Sequence, residues 1–332
     1  MKRLMLAVTA FGISWGAFAG PAAAQELRLL NAFDSRYPPT KMLVQKYADT
    51  ITQKTGGKVT FRISGPEVVN AFQQFQPASS GAFDVFFTVQ PYHVGTTSVS
   101  FGIYSIDPDP AGFRKAGVFD YIAKEYDRYN LKLLAIIPGS NKGTGAYHAA
   151  MRDPLGPGGD LAGKRVRGNP LYLSFITSLG GSMVNLQVGE VYSSLQKGTI
   201  DGAFGPITGS MDYKWHEVGK YSMRPNFGYI YQFLFIHNAA YAKLAPDVQK
   251  LVVDEAAAME VPGMQTMDET QKKEDEALTK AGVIHTQLNP AKFAAAYTAF
   301  NEGIWTTAIT SKATGDRAKE FQAFLKAKGL LK

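Results

Sequence analysis

Residues 160–206 alternate between strand-like and helix-like patterns, and this alternation limits the possible fold more than any other part of the sequence. The segment begins with a basic cluster of Lys164, Arg165 and Arg167. It continues into two helix-like stretches, the second of which ends at Gly198. The order strand, helix, strand, helix, strand is typical of an open α/β sheet. Because small ligands bind at the carboxyl ends of strands in such sheets, the basic cluster predicts an anion site there.

The same alternation extends along the rest of the chain. Strand patterns cover residues 27–30, 59–63, 83–89 and 131–137, and helix patterns cover 40–55 and 68–76. We therefore expect largely parallel sheets. A helix-favouring stretch at 246–282 would be about 50 Å long, and we expect Pro262-Gly263 to kink or interrupt it. With 332 residues the chain is long enough for two domains.

The amino terminus has the pattern of a secretory signal peptide. Basic residues precede an apolar run at residues 4–19, and the small residues 22–24 follow. A membrane anchor is the alternative, but it needs about 20 apolar residues and this run is shorter and interrupted. We expect cleavage after Ala24, which places a soluble mature protein in the periplasm.

Charge and cysteine content argue against several classes of function. Cleavage removes Lys2 and Arg3 and lowers the formal net charge from +7 to +5, and basic and acidic residues are interleaved. A nucleic-acid-binding surface is therefore not expected. The chain contains no cysteine, which excludes thiol catalysis and thiolate metal sites.

The sequence carries no complete catalytic motif. Residues 158–165 approach a phosphate-binding P-loop, but Arg165 stands where Ser or Thr would bind magnesium. There is no G-x-S-x-G nucleophile elbow, and the five histidines form no H-x-x-x-H pair. We expect no enzyme, no metal site and no cofactor. A Ser, His and Asp that converge only in space are the open alternative.

Arg167 is the main candidate for ligand contact. It follows Val166 at the end of a predicted strand, and Asn169-Pro170 then open a helix from about Leu171. A guanidinium offers a fork of donors that matches a carboxylate, and a helix amino terminus adds positive potential. The alternative is an ordinary solvated surface Arg.

A short pattern occurs twice. Residues 80–84 and 197–201 both place a Gly after a helix, an Asp three residues later and a strand after that. Gly suits the left-handed turn at a helix carboxyl terminus. Two similar α/β domains would produce such a repeat.

Longer motifs resemble the solute receptors of TRAP (tripartite ATP-independent periplasmic) transporters. They are D-L-x-G-x-x-V-R from Asp160, S-L-G-G from Ser178, and E-V-Y-x-x-L-Q-x-G-x-x-D-G from Glu190. The similarity extends over essentially the whole mature chain and includes Gly65-Pro66-Glu67.

The resemblance implies an α/β, two-domain periplasmic binding protein of the type II-like class, with a hinge cleft, crossing strands and a long bridging helix. The domains would comprise residues 25–142 plus about 233–272, and 143–232 plus about 273–332. In this family the Arg of the K-x-R motif, here Arg167, forms a bidentate pair with the substrate carboxylate. The implied partners are a small organic acid and the TRAP membrane subunits, and the receptor itself is expected to be a monomer.

The chain departs from the family just before Pro206. Many members carry an acidic or amide residue there, whereas this chain has Phe204-Gly205, so we expect an aromatic wall in place of a polar contact. The other candidate ligand contacts are Gln90, Tyr92, His93, Asn169, Tyr172, Tyr229 and Glu67. Core packing of the aromatics and a cap or loop contact of Glu67 are the alternatives.

These features together predict a periplasmic solute receptor of a TRAP-type secondary importer, which binds a small organic carboxylate. Aliphatic keto acids, dicarboxylates and aromatic acids all fit, and the aromatic residues favour a flat or partly apolar acid. A ligand sensor that docks to a membrane signalling protein has the same sequence features. A periplasmic hydrolase on the same scaffold is the second alternative.

Overall fold

A computed structural model describes residues 25–331, so the predicted signal peptide and its cleavage after Ala24 lie outside the described residues. The described chain folds around two β-sheets with helices packed on them. This is the two-domain α/β architecture that the sequence predicts.

The strands are β1 Gln25–Asn31, β2 Val59–Ser64, β3 Val85–Val89, β4 Leu131–Pro138, β5 Tyr147–Met151, β6 Arg165–Gly168, β7 Ser182–Asn185, β8 Gly202–Pro206, β9 Tyr221–Phe227, β10 Tyr231–His237 and β11 Ile284–Gln287. Sheet I has the order β2-β1-β3-β10-β4, and sheet II has the order β11-β9-β5-β8-β6-β7. Pairing is parallel except along β10 and β5, each of which is antiparallel to both neighbours. Both sheets are therefore mixed, whereas the sequence predicts largely parallel ones.

The α-helices are α1 Lys46–Lys54, α2 Phe75–Ser79, α3 Pro110–Ala116, α4 Val118–Asp127, α5 Leu173–Ser178, α6 Val191–Lys197, α7 Trp215–Val218, α8 Asn238–Ala242, α9 Pro246–Lys280, α10 Pro290–Ile309 and α11 Gly315–Ala327. A π-helical turn, Thr40–Gln45, leads directly into α1. Within residues 25–331, no helix combines the length and the apolar character needed to cross a membrane.

Two segments that cross between the sheets explain the antiparallel strands. The chain leaves sheet I after β4 and enters sheet II as β5, and it returns from β9 to sheet I as β10. The crossing segments are hydrogen-bonded to each other, because Gly139 N donates to Ile230 O and Ala146 N donates to Gly228 O, both at 2.9 Å. Gly145 permits this close approach, since a Cβ there would lie 2.5 Å from the backbone of Asn226 and Phe227, where β9 leads into the second crossing segment.

An arginine–aspartate clasp occurs in both halves and explains the repeated Gly-x-x-Asp pattern. In sheet I, Asp84 accepts hydrogen bonds from the backbone N and the Nε of Arg28, at 2.8 and 2.9 Å. In sheet II, Asp201 accepts the same two bonds from Arg165, at 2.7 and 3.2 Å. Each Arg also donates to the carbonyl of the glycine three residues before its Asp. The clasps tie the turn after a helix to a neighbouring strand.

Helix α9 passes both halves, and its buried polar side chains bond to each of them. The four bonds are from Ile136 N to Glu260 (2.9 Å), from Asn141 N to Asp268 (2.9 Å), from Gln271 to Gly145 O (2.9 Å) and from Gly209 N to Glu274 (2.7 Å). They reach, in order, sheet I, the first crossing segment twice, and the loop after β8. Because each buried side chain satisfies a backbone group, α9 is fixed to both halves.

Pro262 lies inside α9 without interrupting it, which differs from the expected break. Proline removes one N–H and frees the carbonyl four residues earlier, here that of Ala258. Both residues are exposed, so water can replace the lost bond. The next residue, Gly263, is buried and lets the helix approach Leu43 and Ile137, because a Cβ there would be 3.0 and 3.1 Å from them. These buried contacts keep the helix continuous.

The carboxyl-terminal helices return towards sheet I. Helix α10 packs against α5 and also against the segment Val99–Ser105 of the sheet I half. Helix α11 packs on α4, where the rings of Phe321 and Tyr121 are 4.9 Å apart and Arg317 Nε donates to the buried Glu125 at 2.8 Å. The sequence predicts the second domain for residues 273–332, whereas α11 lies on the sheet I side.

Candidate functional site

A cavity lies between the two halves, at the carboxyl ends of strands of both sheets. Its lining residues are Phe33, Tyr37, Val89, Pro91, Tyr92, Tyr104, Tyr147, Arg167, Asn169, Leu171, Tyr172, Val188, Pro206, Thr208, Gly209, Ser210, Tyr213, Trp215 and Ile230. The gaps among these side chains add up to about 460 Å³, including the part that opens to solvent. Most of this space is too narrow for a water molecule, whose centre fits into only about 20 Å³ of it. The halves are therefore closed over the cavity.

Arg167 lines this cavity from β6 as a buried cation. Its side chain is 1% exposed. Nε donates to Leu186 O at 2.8 Å and Nη1 donates to Phe204 O at 2.7 Å. Nη2 is buried and has no hydrogen-bond partner among residues 25–331. Burying a guanidinium lowers the free energy of unfolding by about 3 kcal/mol or more unless an anion compensates its charge.

Three further polar atoms on the wall are buried without a partner in the described part of the chain. They are the hydroxyls of Tyr37 and Thr208 and the indole N–H of Trp215. All three can donate a hydrogen bond, and the indole can only donate. None of the described lining residues is Asp or Glu. The cavity thus holds one cation and an excess of donors, which is the complement of an anion.

Four of the residues predicted from the sequence meet on this wall: Arg167, Asn169, Tyr92 and Tyr172. The Asn169 side chain accepts a hydrogen bond from Leu171 N at 2.9 Å and so begins the turn that carries Tyr172. Burial raises the pKa of both tyrosines, although the nearby Arg167 opposes the shift. The phenols are therefore neutral and supply no counter-charge to Arg167.

Phe204 lies behind the wall and not on it. Its ring is fully buried against Phe175 and Phe227, with centroid distances of 5.6 and 5.8 Å. The aromatic surface expected from Phe204 is provided instead by Trp215. Gly205 makes room for the indole, because a Cβ at Gly205 would lie 2.7 Å from the Trp215 ring. The indole of Trp215 thus packs directly over Gly205.

Gln90 and His93 are buried after β3 but do not line the cavity. Gln90 Nε2 donates to Thr97 O at 2.7 Å, and His93 Nε2 shares a hydrogen bond with the Tyr126 hydroxyl at 2.7 Å. The His93 ring stacks on Phe75 with centroids 4.6 Å apart. Burial lowers the pKa of His93 to about 3, so its imidazole is neutral. Both side chains stabilise the packing beneath the cavity.

Glu67 and Tyr229 also lie outside the wall. Glu67 is exposed, and its Oε1 accepts a hydrogen bond from Gly65 N at 2.6 Å. This is the loop contact that was its alternative role. The Tyr229 hydroxyl accepts from Gly143 N at 3.1 Å and donates to Asp107 at 3.3 Å. Tyr229 therefore stabilises the crossing segments.

Five lining residues belong to no motif that marks them in the sequence. They are Phe33, Tyr37, Thr208, Tyr213 and Trp215. The signal they share is position, since four of them lie in the loops that follow β1 and β8 and Trp215 begins α7 directly after the second loop. Loops at strand carboxyl ends are where an open α/β sheet binds ligands.

Polar contacts across the cleft hold the two halves together. The Tyr213 hydroxyl donates to Asp34 at 3.3 Å, and the Arg36 guanidinium lies 4.8 Å from the centre of the Tyr213 ring. Ala71 N donates to Gln187 at 3.1 Å. Each contact joins the sheet I half to the sheet II half. Each of these hydrogen bonds contributes only about 1 kcal/mol net, so they can open to admit a ligand.

Glu274 on α9 supports the cavity loop from behind. Its carboxylate accepts hydrogen bonds from Gly209 N at 2.7 Å and from Met211 N at 3.2 Å. Burial raises the pKa of Glu274 to about 7, with these backbone N–H groups opposing the shift and Asp212 adding to it. The carboxyl group therefore titrates near neutral pH within the fold.

The stability of the protein is expected to reflect this titration. The folded-state pKa of about 7 lies above the ordinary 4.5, so the folded state binds the proton more tightly. The contribution of Glu274 to the free energy of unfolding should therefore fall as the pH rises from about 4.5 to about 7, whereas the buried His93, with its lowered pKa, contributes in the opposite direction. Glu274→Gln mimics the protonated carboxyl and should remove this slope, a difference of about 3 kcal/mol over the window. Urea denaturation of both proteins at about pH 5 and pH 8 measures it. Identical pH dependence in the two proteins would contradict the assignment.

Comparison with protein-family models gives a match over most of the chain. Residues 32–309 match the model for bacterial extracellular solute-binding proteins, family 7. The match thus covers the whole cavity and every described strand except β1.

Among curated proteins, the 2,3-diketo-L-gulonate-binding periplasmic protein of Escherichia coli is 23% identical over 283 residues, covering 82% of this chain and 84% of that protein. A protein of Sinorhizobium fredii is 23% identical over 242 residues, and a solute-binding protein of Roseobacter denitrificans is 27% identical over 154 residues. These matches cover 68% and 46% of this chain. The chain spans 42% and 47% of those two proteins, about half of each.

Solved structures share the fold. A TRAP periplasmic solute-binding protein of Desulfovibrio salexigens with bound orotic acid superposes with a TM-score of 0.76 at 22% identity, covering 91% of this chain and 99% of that one. A marine metagenome TRAP solute-binding protein specific for aromatic acid ligands gives a TM-score of 0.73 at 18% identity, covering 92% and 98%.

Proposed function

This chain belongs to family 7 of the bacterial extracellular solute-binding proteins, and we propose that it is the periplasmic receptor of a TRAP-type importer. It binds a small organic carboxylate in the cavity and delivers it to the membrane subunits. The observation that carries the proposal is Nη2 of Arg167, a buried cationic donor without a partner among the described residues. The relatives named for 2,3-diketo-L-gulonate and aromatic acids, and the structure with orotic acid, support an organic acid as ligand.

A carboxylate at Arg167 would resolve the electrostatic imbalance of the cavity. It would accept a charge-assisted hydrogen bond from Nη2 and place its negative charge beside the guanidinium. Because the cavity excludes most water, this interaction is screened less than it would be at the surface. The aromatic side chains of the wall would pack against the body of the ligand.

Ligand entry requires the halves to separate. The free space is too small for an organic acid in the closed arrangement, and the contacts of Tyr213 and Gln187 span the entrance. We place the hinge at the two hydrogen-bonded crossing segments, residues 139–146 and 228–230. A ligand that touches both halves shifts the balance towards the closed form by its binding energy there.

A hydrolase would need a nucleophile and a base in the cleft. Ser210 and His148 are hydrogen-bonded to each other, but their hydrogen bonds do not allow them to act as such a pair. The Ser210 hydroxyl is 3.0 Å from His148 Nε2, and His148 Nδ1 is 2.9 Å from the Ser222 hydroxyl. Arg224 Nη1 donates to that hydroxyl at 2.6 Å. The Ser210 hydroxyl donates to Pro206 O at 3.3 Å, so its oxygen accepts from a protonated Nε2, and Nδ1 accepts from the Ser222 hydroxyl. In this tautomer His148 cannot take a proton from Ser210, which favours the receptor.

The proposed function is tested with matched acids and amides. Pairs that share a carbon skeleton, such as benzoate and benzamide, succinate and succinamide, or a 2-oxo acid and its amide, differ mainly in charge. We expect at least one acid to bind measurably in isothermal titration calorimetry and its amide to bind about 100-fold more weakly. Equal affinities within a pair would refute the proposal, as would the failure of every acid in the panel to bind.

A further inference from the structure

The unpaired hydrogen-bond donors of the cavity wall restrict the chemical class of the ligand further than the need for a carboxylate does. We propose that the cavity is built for an aromatic or similarly planar acid that carries a second, uncharged hydrogen-bond acceptor. The donors for this acceptor are Tyr37, Thr208 and Trp215. The inference rests on the proposed function, because it concerns the same cavity and assumes that Arg167 binds the carboxylate.

The three donors require an acceptor. Tyr37, Thr208 and Trp215 are each at most 3% exposed, and their polar atoms make no hydrogen bond among residues 25–331. The buried amide of Gln232 lies beside the Tyr37 hydroxyl, so Thr208 and Trp215 carry the requirement most strongly. Leaving one buried donor unsatisfied costs about 1–3 kcal/mol. The indole N–H has no acceptor capacity, so a ligand group beside it must supply a lone pair. A carbonyl, ether or hydroxyl oxygen meets this need, whereas a methyl group does not.

Trp215, one of the three donors, lies close enough to Arg167 for one small ligand to contact both. Both the Trp215 ring and Arg167 Nη1 lie within 4 Å of the point where a Cβ of Gly205 would be, at 2.7 and 3.8 Å. The rings of Tyr37, Tyr213 and Trp215 follow one another at centroid distances of 6.4 and 6.3 Å, with interplanar angles of 28° and 30°. One compact ligand can therefore reach the guanidinium and the donors together.

The acceptor also connects the two halves of the protein. Tyr37 follows β1 in the sheet I half, whereas Thr208 and Trp215 follow β8 in the sheet II half. A Cβ at Gly209 would lie 2.9 Å from the Tyr37 ring, so this loop and Tyr37 are in direct contact when the cavity is closed. An acceptor shared between them is bound fully only in the closed form, which makes it a determinant of specificity.

The same wall disfavours a cationic substituent. The described lining residues include Arg167 but no Asp or Glu, so an ammonium group would be buried beside a guanidinium without a counter-charge. The cost of burying such a charge exceeds what its hydrogen bonds return. The second group is therefore a neutral acceptor and not an amine.

Substituted benzoates test the inference directly. We compare 3- and 4-formylbenzoate, which add a neutral acceptor, with the methylbenzoates of the same substitution and with the (aminomethyl)benzoates, which add a cation. In isothermal titration calorimetry of the wild-type protein, one formylbenzoate should bind at least about 10-fold more tightly than its methyl counterpart. The corresponding (aminomethyl)benzoate should bind at least about 10-fold more weakly than the formyl compound.

Variants identify the donors. Thr208→Val and Tyr37→Phe, which keep the shapes of the side chains, should each lower the ratio of formyl to methyl affinity at least about 3-fold. Thr306→Val, at an exposed position of α10, is the matched control and should leave the ratio unchanged. If formyl and methyl compounds bind the wild type within 2-fold of each other, about 0.4 kcal/mol, the inference is wrong while the proposed function stands. If no benzoate and no other acid binds, the proposed function itself fails.

Discussion

Replacement of Arg167 by Met is expected to weaken carboxylate binding at least about 100-fold and to leave the fold intact. The guanidinium is the cation of the cavity wall, and the variant removes both the charge and the free Nη2 donor. The ligand-free protein should change its free energy of unfolding by less than about 2 kcal/mol. The variant leaves the carbonyls of Leu186 and Phe204 unpaired, but it also removes the cost of burying an uncompensated charge.

Arg165→Met is the matched control for this experiment. Arg165 stands two residues earlier on the same strand, but it is exposed and its guanidinium bonds Asp201 in the sheet II clasp. Its replacement should lower stability modestly, by about 1 kcal/mol, and leave ligand affinity unchanged. If Arg167→Met binds the carboxylate within a few-fold of wild type, Arg167 is not the anchor. Calorimetry on both variants, with circular dichroism to confirm folding, measures the effect.

Glu260→Ala is expected to produce the largest loss of stability among single side-chain changes on α9, about 3 kcal/mol. The Glu260 carboxylate is buried and accepts hydrogen bonds from Arg114 Nε at 2.5 Å, from Arg114 Nη2 at 2.9 Å and from Ile136 N at 2.9 Å. Alanine leaves the backbone N–H of Ile136, on the edge strand β4, without a partner and a half-buried guanidinium without its counter-charge. It also releases the helix from sheet I.

Glu269→Ala is the control on the same helix. Glu269 is exposed, so its replacement should change the free energy of unfolding by less than about 0.5 kcal/mol. Urea denaturation of the two variants and the wild type gives the comparison. A loss below about 1 kcal/mol for Glu260→Ala would show that the buried carboxylate does not anchor α9.

The sequence predicts the features that local patterns determine. Strand and helix periodicities locate most elements to within a few residues. The repeated Gly-x-x-Asp pattern corresponds to the two clasps, in which Asp84 and Asp201 bond Arg28 and Arg165. Arg167 could be singled out because a strand end and a family motif coincide there.

Features that depend on packing between distant segments could not be predicted in this way. All of β8 up to Gly205 is buried, so the pattern of apolar residues does not show which face of the strand meets the cavity. Phe204 therefore looked like a wall residue, although the register places Ala203 beside Arg167. Trp215 reaches the wall only because the loop after β8 folds back over Gly205.

Local propensity was also overridden by tertiary contacts. Pro262 predicts a break in α9, but buried packing of the neighbouring Gly263 keeps the helix whole. Similarly, the ion pair of Arg317 with the buried Glu125 places α11 on the sheet I half. Neither contact leaves a periodic signal in the sequence, because each joins residues that are more than a hundred positions apart.

The central claim is that Arg167 binds a carboxylate inside the closed cavity. The most direct test is a crystal structure of the protein with the tightest-binding acid from the calorimetric panel. The account predicts a ligand carboxylate oxygen within hydrogen-bond distance, about 3 Å, of Arg167 Nη2, and both halves in contact with the ligand. A ligand bound elsewhere, or bound in the cavity with its carboxylate away from Arg167, would contradict it.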